Sequence, residues 1–154
     1  MKLEQLLERL EYTCVQGSLD REISGIANDS RQVVPGTLFF SIRGAVTDGH
    51  TYAAEVAEKG AVALLVEEPV EVPESVTVIQ VKDTRYAMAL VSAAWYDYPA
   101  EKLKVIGITG TKGKTTTTYM IKSILESAGH KVGLIGTIET IIGETHIPSS
   151  NTTP

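Results

Sequence analysis

Two rhythms alternate along this chain: apolar residues at helical spacing, and short unbroken apolar runs. Leu3, Leu6, Leu7 and Leu10 recur three and four residues apart and predict a short opening helix. TLFFSI, residues 37–42, follows the turn pair Pro35-Gly36 and reads as a strand. YAAEVAEKG reads as a helix stopped by Gly60, and AVALLV just after it as a buried strand. VTVIQV, residues 76–81, is another strand, and TRYAMALVSAAWY is a helix with Thr84 as its expected cap, ending before Pro99. Beyond the polar stretch at residues 99–102 the alternation resumes. LKVIGITG reads as a strand and KVGLIGT as another, with the helix TTTTYMIKSILESAG between them. That helix places Met120, Ile121, Ile124, Leu125 and Ala128 on one face and ends at Gly129. Strand, helix, strand implies a βαβ unit with parallel strands and a right-handed crossover. The pattern predicts an α/β protein, with one domain over residues 1–98 and the start of a second over 99–154.

Composition narrows the class without changing the fold. With 154 residues, 43% hydrophobic and 21% charged, the chain can bury a core and is neither disordered nor fibrous. A net charge of -5 argues against a general nucleic-acid binder, which presents a basic face. The single cysteine, Cys14, excludes an internal disulfide framework and reads as a small packed residue. The amphipathic start, MKLEQLLERLEY, holds no membrane span, so a cytoplasmic location is expected. Asp48-Gly49-His50 reads as a turn, with His50 structural rather than catalytic; His130 follows a helix end and His146 reads as loop surface. Trp95, on the helix with Met88 and Val91, reads as core.

The chemistry concentrates in VIGITGTKGKTTTTYM, residues 105–120. It sits where a predicted strand turns into a helix, and such a turn points unpaired N–H groups and the positive helix end at one spot. Gly110 and Gly113 let the backbone curl around phosphate oxygens. Lys114 can reach terminal phosphates, and the Thr115 hydroxyl can hold a bridging Mg²⁺. Strict phosphate-loop spacing wants glycine five residues before Gly113, where this chain has Ile108. Thr116 is a further phosphate contact, whereas Thr117 and Thr118 read as helix surface.

GITGTKGKTTTT resembles the ATP loop of the Mur ligases, which build the peptide of bacterial peptidoglycan; folylpolyglutamate synthases carry a related loop. DSRQVVPGTLFFSIRGAVTDGHTYAAEVAEKGAVALLVE is similar to the domain with which two Mur ligases hold the UDP end of their substrate. GLIGT followed by NTTP, residues 151–154, matches the branch that adds the third amino acid. The D-Ala-D-Ala-adding branch usually has an asparagine-rich segment there. The resemblance implies an N-terminal α/β substrate domain followed by the first βαβ of a P-loop central domain.

It also implies roles. Gly110, Thr111, Lys112, Gly113, Lys114, Thr115 and Thr116 would bind ATP, with Lys114 acting on the transferred phosphoryl group and Thr115 on Mg²⁺. Lys112 stands where asparagine is common and adds positive charge without disturbing the backbone cradle. Asn28 and Ser30 would contact the uridine diphosphate, and Ala45, Val46 and Thr47 would approach the same nucleotide. Asn151, Thr152 and Thr153 would bind the muramoyl-dipeptide near the reacting centre. The implied reaction joins meso-diaminopimelate or L-lysine to UDP-MurNAc-L-Ala-D-Glu, after ATP phosphorylates the D-Glu carboxylate. Local alternatives stand beside these: Ser30-Arg31 as a turn pairing with Asp29, and Asn-Thr-Thr-Pro as a polar turn. Because the family's members are longer, the chain reads as a piece of such an enzyme, inactive alone and able to self-associate through its incomplete second sheet. The other readings are the D-Ala-D-Ala-adding ligase, and a stand-alone module that binds UDP-sugars or nucleotides without catalysis.

Overall fold

The computed structural model describes residues 1–44 and 47–149. The chain divides into two compact units, Met1–Lys104 and Val105–Pro154. In the first, α1 (Leu3–Leu6) leads through β1 (Thr13–Gln16), β2 (Gly25–Ala27) and β3 (Thr37–Phe40) to α2 (Ala53–Glu58). β4 (Ala63–Val66), β5 (Thr77–Gln80), α3 (Thr84–Trp95) and α4 (Pro99–Lys102) follow. The strands lie in the order β1-β5-β4-β3-β2. β2 through β5 run parallel, and β1 is an antiparallel edge beside β5.

Every residue of β3 and β4 is buried, because helices cover both faces of the parallel sheet. Leu38, Phe40 and Leu65 face α1 and α3 with Leu3, Leu6 and Val91, while Phe39, Leu64 and Val66 face α2 with Val56. Double coverage is why these strands read as continuous apolar runs. β1 and β2 escaped the sequence pattern: β2 has three residues, and β1 is largely exposed with an irregular register between Cys14 and Gln16.

Two details of α3 differ from expectation. Its cap is Asp83, whose carboxylate accepts the N–H groups of Arg85 and Tyr86. Thr84 is instead the first helical residue and fully buried, with its backbone N–H and hydroxyl both donating to Glu67 Oε1 at 2.8 Å. The helix stops at Trp95, because Asp97 and Tyr98 take left-handed φ values of 58° and 49°. The Arg9 guanidinium lies 3.8 Å from the centre of the Tyr98 ring and pairs with Glu101 at 2.5 Å, holding this strained corner in place. Residues 99–102, expected as a polar boundary, form α4 within the first unit.

The second unit contains α5 (Lys114–Ser127), β6 (Gly133–Ile135), β7 (Glu139–Ile142) and β8 (Thr145–Pro148). The expected βαβ pairing is not what these residues form. The three strands make an antiparallel meander, β6-β7-β8, and residues 105–109 join no ladder among the described residues. A strand needs a hydrogen-bonding neighbour, and among the described residues β6 pairs with β7 alone, its other edge taking no strand. The meander gives α5 a small platform, whose buried apolar side chains are the cross-strand pair Leu134 and Ile141. Ile121 and Leu125 are half-buried, but Met120, Ile124 and Ala128 of the predicted inner face are exposed.

Candidate functional site

The glycine-rich loop ends where the sequence predicted, at the start of a helix. Gly113 is the N-cap of α5 with φ 79°, a left-handed conformation that a side chain would strain. No side chain caps this end, so the first N–H groups of α5 keep their capacity for an outside acceptor. Lys114 curls back over the loop, its ammonium donating to Gly110 O at 2.5 Å. Thr115 is half-buried, whereas Thr111, Lys112 and Thr116 are exposed. Uncapped helical N–H groups with a lysine folded over them suit the oxygens of a polyphosphate, and the Thr115 hydroxyl is a hard oxygen donor suited to magnesium.

A second polar constellation gathers at the carboxyl edge of the parallel sheet, where ligands of open α/β folds bind. After β2 come Asn28, exposed, and Ser30, half-buried at the start of a 3-10 turn. Asp29 caps that turn, and Arg31, by side-chain and backbone N–H, lowers its carboxyl to about 2. The local alternative for this segment, a turn built on an Asp29–Arg31 pair, is therefore present. Among the described residues the Asn28 amide and Ser30 hydroxyl donate no hydrogen bond, and Lys59 Nζ donates to Ser30 O at 3.0 Å.

After β3 the chain runs through Arg43 and Gly44 and returns through Thr47 and Asp48. Gly44 N donates to Thr47 O at 2.9 Å, and Arg43 bridges Asp48. Gly49 then passes so close to the residues just after β3 that a Cβ there would sit 2.6 Å from Ile42 N. Arg43 pairs with Asp48 and with Glu68 beyond β4, and Arg85 of α3 donates to Arg43 O at 3.1 Å. The backbone N–H of His50, then its ring, draws the Asp48 carboxyl down to about 2. Glu67 also titrates low, held chiefly by the Thr84 backbone N–H against the opposing effect of burial. Ser41 Oγ, at the foot of this loop, is buried without a partner among the described residues.

Of the residues expected at the sites, the structure brings 110–116 together on one loop and places Asn28, Ser30 and Thr47 after neighbouring strands. Ala45, Val46, Asn151, Thr152 and Thr153 lie outside the described residues. Sequence reasoning passed over Arg43, Glu67 and Glu68. Glu67 and Glu68 had a signal, since they are the first polar residues after the run AVALLV and so stand at the carboxyl end of a buried strand.

The catalytic-domain model of the Mur ligase family matches residues 22–96, and the Mur ligase middle-domain model matches residues 108–154. The chain belongs to the Mur ligase family. Among its curated relatives are Mur ligases of Clostridium acetobutylicum, Clostridioides difficile and Geobacter metallireducens. All three are named UDP-N-acetylmuramoyl-L-alanyl-D-glutamate--2,6-diaminopimelate ligase, and they are 49%, 47% and 46% identical to this chain. The matches cover 100% of this chain but only 32%, 32% and 30% of the relatives, so the chain spans about a third of their length. A solved Mur ligase structure titled MurF, from Acinetobacter baumannii, is 34% identical, with a TM-score of 0.62 over 82% of this chain and 27% of its own. A solved diaminopimelate ligase, at 23% identity, aligns over 98% of this chain and 30% of its own with a TM-score of 0.74 and supports the fold.

Proposed function

We propose that this chain is the substrate-holding and phosphate-binding part of an ATP-dependent ligase that adds the third amino acid to UDP-MurNAc-L-Ala-D-Glu. One observation carries the reading: relatives named for that reaction match every part of the chain at 44% to 49% identity. Their names favour 2,6-diaminopimelate over L-lysine as the added amino acid. The solved MurF structures, at 32% to 34% identity, make the D-Ala-D-Ala-adding ligase the second reading.

Each edge of the chain then has a task. Asn28, Ser30, Ala45, Val46 and Thr47 hold the uridine diphosphate at the carboxyl edge of the sheet, and Asn151, Thr152 and Thr153 meet the muramoyl-dipeptide. Gly110 through Thr116 wrap the phosphates of ATP. The α5 N-terminus and Lys114 balance negative charge on the phosphoryl group as it moves to the D-Glu carboxylate, and Thr115 contributes an oxygen to Mg²⁺. When bound, ATP supplies the phosphoryl group that makes this carboxyl carbon open to attack by the amine. Domain limits of 1–98 and 99–154 belong to the same proposal. Among the described residues no helix is long and apolar enough to cross a membrane. We place the reaction in the cytoplasm, where ATP and nucleotide sugars are drawn on together.

A chimera provides the test. This chain replaces the corresponding segment of the Geobacillus thermodenitrificans relative, with which it shares 46% identity. Phosphate release that requires both UDP-MurNAc-L-Ala-D-Glu and diaminopimelate is expected. A folded chimera that binds neither ATP nor the nucleotide sugar would rule the assignment out.

A further inference from the structure

At the carboxyl edge of the sheet, a buried histidine joins two segments that are far apart in sequence. The His50 side chain is only 8% exposed. Its Nε2 accepts the backbone N–H of Glu67 at 2.9 Å, and its Nδ1 lies 2.6 Å from Asp48 Oδ1. A backbone N–H can only donate, so Nε2 carries no hydrogen. The ring is therefore neutral with its proton on Nδ1, donated to Asp48. The two ends of this bridge differ in origin. Asp48 closes the stem of the loop after β3, where it also meets Arg43, and Glu67 is the first residue beyond β4.

We propose that His50 is a positioning residue for the stem of the loop after β3, at Thr47 and Asp48: its neutral ring bolts this stem to the end of β4, and protonation loosens the stem and weakens binding of a nucleotide sugar at this edge. The ligand half rests on the reading of Asn28, Ser30 and Thr47 at this edge given under the proposed function. Protonation puts a second N–H at Nε2, facing the N–H of Glu67, and two donors repel where one bond had stood. The groups around the ring decide which bond breaks. Asp48 and Arg43 face it from the loop, and Glu67 and Glu68 from the end of β4. Glu71 lines the same shallow depression as His50, and Arg85 reaches the loop from α3. The Asp48 carboxylate welcomes a charged ring, so that contact survives; the bond to Glu67 is the one lost, and Arg43 alone still joins Asp48 to Glu68 beyond β4.

The test follows the ring, the amide and the ligand together in this chain and in His50→Gln, from about pH 5 to about pH 8.5. The probe is UDP-N-acetylglucosamine, whose diphosphate diester changes no charge across this range. At the alkaline end, ring ¹⁵N shifts are expected to report the Nδ1–H form and slow exchange of the Glu67 amide. As the ring protonates, that amide should exchange faster and affinity should fall about three- to tenfold, the size of one lost hydrogen bond. His50→Gln should bind at the weaker level with no pH slope, while the amides of β3 and β4 stay protected. An Nε2–H ring at alkaline pH would overturn the proposal. So would a His50→Gln variant that melts earlier yet keeps the original affinity and slope, because the ring would then be structural only. If the unsubstituted chain fails to bind the probe at every pH, the nucleotide reading of this edge falls with the ligand half, and the ring and amide signals still decide the bolt.

Discussion

Lys114 is held by the backbone of the loop it follows. Its ammonium rests on Gly110 O, within the loop that wraps the phosphates in the proposed function. In a ligase carrying this segment, Lys114→Ala should lower turnover about a hundredfold or more with an unchanged circular dichroism spectrum, since a charge contact to the moving phosphoryl group is lost. Near-normal turnover would remove Lys114 from the chemistry. Ser30→Ala should raise the apparent KM for the nucleotide sugar and leave that for ATP unchanged; a defect confined to ATP would mean the two sites are reversed. Asp48 carries a pH prediction. Its carboxyl falls from the ordinary 3.8 to about 2, mainly through the His50 backbone N–H. A depressed carboxyl stabilises the fold fully above its unfolded value, and that contribution disappears as pH falls from about 4 to about 2. Acid unfolding of this chain should therefore steepen in that window, and Asp48→Asn should flatten it. An unchanged acid profile in the variant would locate the sensitivity elsewhere, with Asp29 as the nearest candidate.

Elements were legible in proportion to their length and coverage. β3, β4 and β5 stood out because a strand covered on both faces must be apolar along its whole length. α3 and α5 stood out because each is long enough to repeat its apolar spacing. The cap of α3 was misplaced by one residue, since Asp83 and Thr84 are both good capping types and the sequence does not say which one another element will claim. Glu67 claims Thr84, leaving Asp83 to the helix end. Asp83→Ala should accordingly lower unfolding free energy by about 1 kcal/mol in chemical denaturation, the usual loss for a cap. No measurable change would mean that Thr84 can take over the role.

At the scale of the molecule, the two units differ in how much apolar surface they cover. The first has a five-stranded sheet with a core on each face. In the second, Val105 is 73% exposed, Ile124 67% and Ile142 63%. Exposed apolar side chains in this number mark a surface that binds something or aggregates. Amide exchange should be slower in residues 37–81 than in 103–137, and sedimentation should reveal self-association that grows with concentration. Equal protection in the two segments, with a strictly monomeric chain, would overturn this ranking.

Sequence alone determined the α/β class, the central strands, both long helices and the glycine-rich turn that opens α5. Each depends on neighbours close along the chain: a glycine at a helix start, an apolar run, a lysine one residue after Gly113. It determined less about pairing. Residues 105–109 have the composition of a strand, yet a strand exists only where another backbone meets it, and among the described residues none pairs with them. Only the tertiary structure decided that His50, read locally as part of a turn, joins Asp48 to the far end of β4. A hydrogen bond between residues seventeen apart depends on the register of two strands and the path between them, and no local pattern encodes that.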